Sequence, residues 1–302
     1  MNPFARLEYS IMCCIFSRLH IGDLAAIWAC DEDMALDVRE FVANRVAFFL
    51  GKFQLDFTQT LSLLDRANAV ISGSFAQRML FPGDALMTYS PGDIDFYIPA
   101  TSRSIFLRFF AMYTPYVVVS SRNTRYYSDA ISEVLLLVSG KSYINIIVSS
   151  NDNAIFPIFY FHSTCVMNFL SSAGIFCAYP ELTFNLRNLP NSLHTQTANH
   201  ARRFQACMKK YWARGFSTAK EVSKWKEFAH HTCYQNFNCP MTIRSTLDAG
   251  CFFLPVFDDA ETAYSGRSGW GAYGQGGITW RLGGLPCNGN GKKVLGYVGL
   301  DE

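Results

Sequence analysis

The chain has almost no net charge. Lysine and arginine number 26 against 24 aspartates and glutamates, a formal balance of +2. Global charge therefore gives no argument for nucleic acid as a partner. Among the ten cysteines there is no Cys-x-x-Cys pair, which removes the commonest zinc and thioredoxin-type signatures. No Ser-His-Asp spacing supports hydrolase chemistry, and no internal repeat points to a solenoid. The N-terminus lacks a basic stretch followed by an unbroken apolar core and a small-residue cleavage site. No signal peptide is expected, and the reading is an intracellular protein, cytoplasmic or nuclear, with mostly buried free thiols.

One stretch lacks charge altogether. Residues 153–180 contain no Asp, Glu, Lys or Arg, and the run is long enough to cross a bilayer. Its interior nevertheless carries Pro157, His162, Ser163, Thr164, Asn168, Ser171 and Ser172. Those polar groups are costly in lipid, so the expectation is a buried segment and no membrane association.

What the chain does have is apolar and aromatic content: 50% and 15% of 302 residues, enough for a sizeable core. Residues 1–60 read as helical, with Leu7, Ile11, Ile15 and Leu19 at i, i+4 spacing. Asp23 is the expected N-cap of a second helix, and a third runs through Val38, Phe41, Val42, Val46 and Phe49 to Gly51. The segment from Leu7 to Cys30 weakly resembles an F-box, which implies an adaptor role, but it lacks the opening Leu-Pro.

Residues 61–160 read as mixed α/β. Strands are expected at Val70 to Ser72, Asp93 to Ile98, Val117 to Val119, Val134 to Val138 and Tyr143 to Ser149. Ser102 is the expected cap of an amphipathic helix through Phe106, Phe109, Phe110 and Tyr113. Residues 161–257 read as mainly helical, from Phe161 to Leu170, from about Thr197 to Arg214 before Gly215, and from Val222 to Phe228. Residues 258–302 form a Gly-rich tail without apolar periodicity, expected to be disordered. The fold class is α+β: a small mixed sheet with helices on one side, helical flanks and that tail.

The chemistry concentrates in two short motifs. Val70-Ile71-Ser72 leads into Gly73-Ser74, where backbone N–H groups can cradle a phosphate. Asp93-Ile94-Asp95 opens an apolar run, and the period of 2 puts both carboxylates on one strand face. Paired carboxylates beside a phosphate cradle suit Mg²⁺ and a nucleotide.

This arrangement resembles the nucleotidyltransferase superfold, that of DNA polymerase β and its relatives. Its motif is an apolar run, Gly-Ser, a helix, then Asp-x-Asp on a strand. The longer gap between Ser74 and Asp93 implies an inserted loop near residues 83–90. More closely, residues 60–257 resemble uncharacterised fungal nucleotidyltransferase-like proteins, through residues 71–76, 93–99, 161–168 and 239–251. The resemblance implies Gly73 and Ser74 as phosphate-binding residues and Asp93 and Asp95 as catalytic and metal-holding ones. It also implies a third carboxylate on a neighbouring strand. The position that fits is Asn145, which is neutral and adds no charge. Glu133 and Asp152 are the remaining carboxylates to weigh.

The expected function is accordingly a divergent, catalytically degenerate nucleotidyltransferase-fold protein that holds a nucleotide with Mg²⁺. The alternatives are an active transferase acting on protein, RNA or a small molecule, and an F-box-like adaptor. Basic residues between Arg202 and Lys226, interleaved with Tyr211, Trp212, Phe216 and Trp225, offer a nucleic-acid surface. A solvated helix face over buried aromatics is the preferred reading of them, so nucleic acid is not the expected partner. Ser163 or Thr164 reads as a helix cap, and His162 as a hydrogen-bonded buried histidine. His230, His231, Cys233, Cys239 and Cys251 cluster late in the chain. Their Cys-x5-Cys-x11-Cys spacing is no common zinc pattern, so they read as buried structural thiols.

Overall fold

The computed structural model describes residues 7–122, 130–194, 198–257, 277–287 and 292–300. Four helices open it: α1 (Tyr9–Phe16), α2 (Ile21–Trp28), α3 (Glu32–Gly51) and α4 (Phe57–Arg66). Asp31 and Asp56 cap α3 and α4 by accepting the Met34 and Gln59 N–H groups, each at 2.8 Å. The α2 cap is His20, not the expected Asp23. His20 Nδ1 accepts from the Gly22 and Asp23 N–H groups at 3.1 and 3.2 Å. The Asp23 carboxylate accepts the His20 N–H in return, at 3.3 Å. The helix thus begins three residues before the expected point.

Next come β1 (Val70–Ser72), α5 (Gly73–Met79), β2 (Asp93–Ile98), α6 (Arg103–Tyr113), β3 (Val117–Arg122), β4 (Ile131–Ser139) and β5 (Ser142–Ser149). The expected bounds of β1 and β2 hold to the residue. Gly140, at φ 57°, turns β4 into β5. Ser102 does precede α6, but its hydroxyl donates to the Ala67 carbonyl at 2.7 Å and caps nothing. Phe106, Phe109 and Phe110 are buried, while Tyr113 is exposed.

The expected helix from Phe161 to Leu170 is absent. Thr164–Val166 is a single 3₁₀ turn, and β6 (Asn168–Leu170) pairs with β7 (Ile175–Cys177). The polar side chains of the uncharged run explain this, because they bond the buried backbone locally. Asn168 Nδ2 donates to the Cys165 carbonyl at 2.8 Å, and Ser171 Oγ donates to the Gly174 carbonyl at 3.2 Å. Ser163 and Thr164 cap no helix; Ser163 Oγ lies 2.7 Å from Nδ1 of the half-buried His162. Among the described residues no helix is long and apolar enough to cross a membrane.

The rest comprises α7 (Pro180–Thr183), β8 (Arg187–Asn188), α8 (Ala198–Ala213), β9 (Ser217–Thr218), β10 (Arg244–Ser245), β11 (Phe252–Leu254), β12 (Ile278–Arg281) and β13 (Tyr297–Leu300). As expected, α8 ends just before Gly215, which has φ 92°. Val222 to Phe228 is two 3₁₀ turns and not an α-helix.

The sheet is large, not small. Among the described residues it has eight strands in the order β11-β7-β6-β1-β2-β5-β4-β3, mixed in direction. Its alternating faces serve two cores. Ile71, Phe96 and Ile146 join the first, which runs from Met12 to Val256 and takes in the buried stripe of α3. Val70, Tyr97 and Ile147 join the second, with Phe159, Phe169, Phe176, Tyr179 and Trp280.

Trp280 departs from the expectation of a mostly disordered tail. It lies on β12, which pairs with β10 and β13 in a second sheet. Its indole N–H donates to the Tyr179 hydroxyl at 2.8 Å, and its ring stacks on Phe159 with centroids 4.3 Å apart. A four-residue strand between glycine-rich stretches is too short for periodicity to register. Residues 258–276, 288–291 and 301–302 of the tail lie outside the described residues.

Candidate functional site

Strand pairing brings the two motifs together. β1 is antiparallel to β2 with Ser72 opposite Asp95, and β2 is parallel to β5 with Asp95 opposite Asn145. Ser72 is fixed by its hydroxyl, which donates to the Asn168 carbonyl at 2.6 Å and ties β1 to β6.

Gly73 then opens α5 with φ 68°, the left-handed region that favours glycine. Space makes the same demand. A Cβ on Gly73 would stand 2.4 Å from Asp95 Oδ2. The turn and the second carboxylate are therefore packed against each other. Gly73 and Ser74 are buried, whereas Asp93, Asp95 and Asn145 are each half-buried. The accessible part of the site is the carboxylate pair.

Asn145 joins that pair. Its Nδ2 donates to Asp95 Oδ1 at 2.8 Å and to Asp93 Oδ2 at 3.5 Å. One neutral amide thus reaches both acids without cancelling their charge. Burial, and then the nearby Asp93 charge, push the Asp95 carboxyl up to about 7. The Asn145 hydrogen bond and the Lys210 ammonium pull the other way.

Glu133 is engaged elsewhere. Arg103 donates to it through Nε at 2.6 Å and Nη2 at 3.0 Å, and Ser121 Oγ donates at 2.6 Å. The Arg103 bonds hold the Glu133 carboxyl below its usual range. Its register partner is Val148, three residues along β5 from Asn145. Asp152 lies past Ser149, where β5 ends, and Asn145 is seven residues back, roughly 20 Å if extended. Among the described residues, the one cluster of three or more His, Cys, Asp or Glu side chains lies elsewhere in the chain.

The inserted loop between α5 and β2 is anchored to the site. Arg78, fully buried in α5, donates to Asp84 and to the Phe81 carbonyl, and to the Tyr89 carbonyl at 3.2 Å. Arg45 adds Nε to the Pro82 carbonyl at 2.6 Å and Nη2 to Asp84 at 2.9 Å. The Tyr89 hydroxyl donates to the Ser74 carbonyl at 2.7 Å. Arg214 lies 3.5 Å above the Tyr89 ring and donates to Gln77 Oε1 at 3.3 Å.

Sequence reasoning had placed Lys210 and Arg214 in a basic stretch without linking them to the motifs. It missed Gln77 and Tyr89 altogether. Tyr89's place in the inserted loop was the only available signal for it. Of the interleaved aromatics, Tyr211 and Phe216 are buried and Trp212 is exposed.

Comparison with protein-family models, with curated proteins and with solved structures finds no match to this chain.

Proposed function

We propose that this chain is a divergent nucleotidyltransferase-fold protein that holds a nucleotide with Mg²⁺ and has lost efficient catalysis. The observation that carries the proposal is the position of Asn145, in parallel register with Asp95 and bonded to both aspartates. Asp93 and Asp95 offer hard oxygen donors of the kind Mg²⁺ prefers, and a half-turn of the Asn145 amide would add a carbonyl oxygen. The donor set therefore fits the ion, with one negative charge fewer than three carboxylates carry.

When bound, Mg²⁺ would neutralise phosphate charge; the chain's own part is to present Asp93 and Asp95 to it. Lys210 adds positive charge near Asp95, which favours an anionic ligand there. Gly73 and Ser74 are the proposed phosphate contacts. The active-transferase reading is weakened by the Arg103 ion pair that occupies Glu133. The adaptor reading is weakened because Met12, Phe16, Ile21 and Leu24 are spent in the first core.

The test is titration calorimetry of the full chain with Mg²⁺ and ATP or GTP, against the Asp93→Ala, Asp95→Ala double variant. Heat of binding in the native chain and none in the variant is the expected result; equal heats in both would sink the site. Incubation with labelled nucleotides is expected to transfer no label. Sustained transfer would restore the active-enzyme reading.

A further inference from the structure

We propose that His231, Cys233, Cys239 and Cys287 bind a structural zinc ion. One ligand atom from each lies within 4.8 Å of all the others. Zinc–sulfur and zinc–nitrogen bonds of about 2.3 and 2.0 Å in a tetrahedron put two sulfurs about 3.8 Å apart, and sulfur and nitrogen about 3.5 Å apart. The Cys239 and Cys287 sulfurs are 3.8 Å apart, and Cys233 Sγ is 3.5 Å from His231 Nε2. A disulfide needs about 2.05 Å, so the sulfur spacing is that of co-ligands and not of a bridge.

The surroundings point the same way. His231 Nδ1 lies 2.7 Å from the Phe228 carbonyl. A proton on Nδ1 donated there leaves the Nε2 lone pair facing the cluster, the usual outer-shell arrangement of a metal-bound histidine. Tyr234 holds φ 67°, an uncommon conformation for a non-glycine residue, between two of the ligands. Cys239 is buried and the other three are half-buried, so an ion there would be shielded.

The chain supplies all four positions of a Cys₃His set, which leaves no open one for a substrate. The chemistry is therefore that of a structural site. Its place in the fold gives it a task. His231, Cys233 and Cys239 come from the turns before β10, and Cys287 follows β12. The Gly283 N–H donates to the Pro240 carbonyl at 2.9 Å beside the cluster. Zinc would fasten the tail strands to the body of the protein.

Spacing in the sequence groups Cys251 with Cys233 and Cys239. Cys251 Sγ instead lies 3.4 Å from both Arg244 Nη2 and the Ser245 carbonyl, and the fourth ligand comes from the tail.

The experiment is metal analysis of the full chain purified without chelator, with Co²⁺ exchange as a second readout. The expected result is about one zinc per chain, and intense visible bands of tetrahedral, thiolate-bound cobalt. Cys239→Ser and Cys287→Ser should lose zinc about tenfold or more, while His231→Cys, which offers four thiolates, and exposed Cys30→Ser retain it. Should the serine variants fail to fold, native metal content and the cobalt spectrum still decide. Metal-free native protein without cobalt bands, a Cys239–Cys287 disulfide in the isolated chain, or serine variants that keep full zinc would each overturn the proposal.

Discussion

Asn145 donates its side-chain amide to Asp95 at 2.8 Å across the parallel register of β2 and β5. That bond is neutral, and it lowers the Asp95 carboxyl less than burial and the Asp93 charge raise it. Two carboxylates share one face, among the described residues neither has an ion-pair partner, and the cost falls on Asp95.

That cost makes stability depend on pH. The Asp95 carboxyl sits near 7 in the folded chain against an ordinary 3.8. Between those values the folded state binds more protons than the unfolded one, so stability falls as pH rises from about 4 to about 7, then levels off. Asp95→Asn removes the charge, should flatten this slope, and should stabilise the protein at pH 8 by at least about 1 kcal/mol. Urea midpoints across pH for both proteins check it; parallel curves would contradict it.

Metal binding should release protons. Burial and the Asp93 charge raise the Asp95 carboxyl toward neutrality, and a divalent cation displaces the proton it holds there. Calorimetry with Mg²⁺ and nucleotide in two buffers of different ionisation heat should show net proton release at neutral pH, falling toward zero by about pH 9.

Gly73→Ala should destabilise by about 1–3 kcal/mol. The added Cβ meets Asp95 Oδ2 at 2.4 Å in a backbone at φ 68°. Combining it with Asp95→Ala removes the clash and leaves the strain. Denaturation of the two single variants and the double variant should therefore show coupling of more than about 0.5 kcal/mol.

Much of this site was legible because glycine and proline punctuate it. Gly73 ends β1 and Pro99 ends β2, so both strands could be bounded from sequence. The period of 2 then put Asp93 and Asp95 on one face, and parallel pairing put Asn145 beside them. Lys210 and Arg214 were not legible as site residues, because more than a hundred residues separate them from the motifs. Residues 161–170 misled through their lack of charge. Asn168 and Thr164 look tolerable in a helix until their bonds to the Cys165 carbonyl and the distant Leu189 N–H are known. The tail misled through its glycines, which hid Trp280, the large side chain it sends into the second core.

Trp280 gives that last point a number. It is fully buried, stacked on Phe159 and bonded to Tyr179. Trp280→Ala should cost about 3–5 kcal/mol of stability by urea denaturation, where a disordered tail would cost nothing.

The most direct measurement is binding of Mg²⁺ with a nucleoside triphosphate to the native chain and to the Asp93→Ala, Asp95→Ala variant, side by side. Saturable heat in the first and none in the second is the predicted outcome. Identical titrations, with both chains folded, would contradict the assignment of these two aspartates to a nucleotide–metal site.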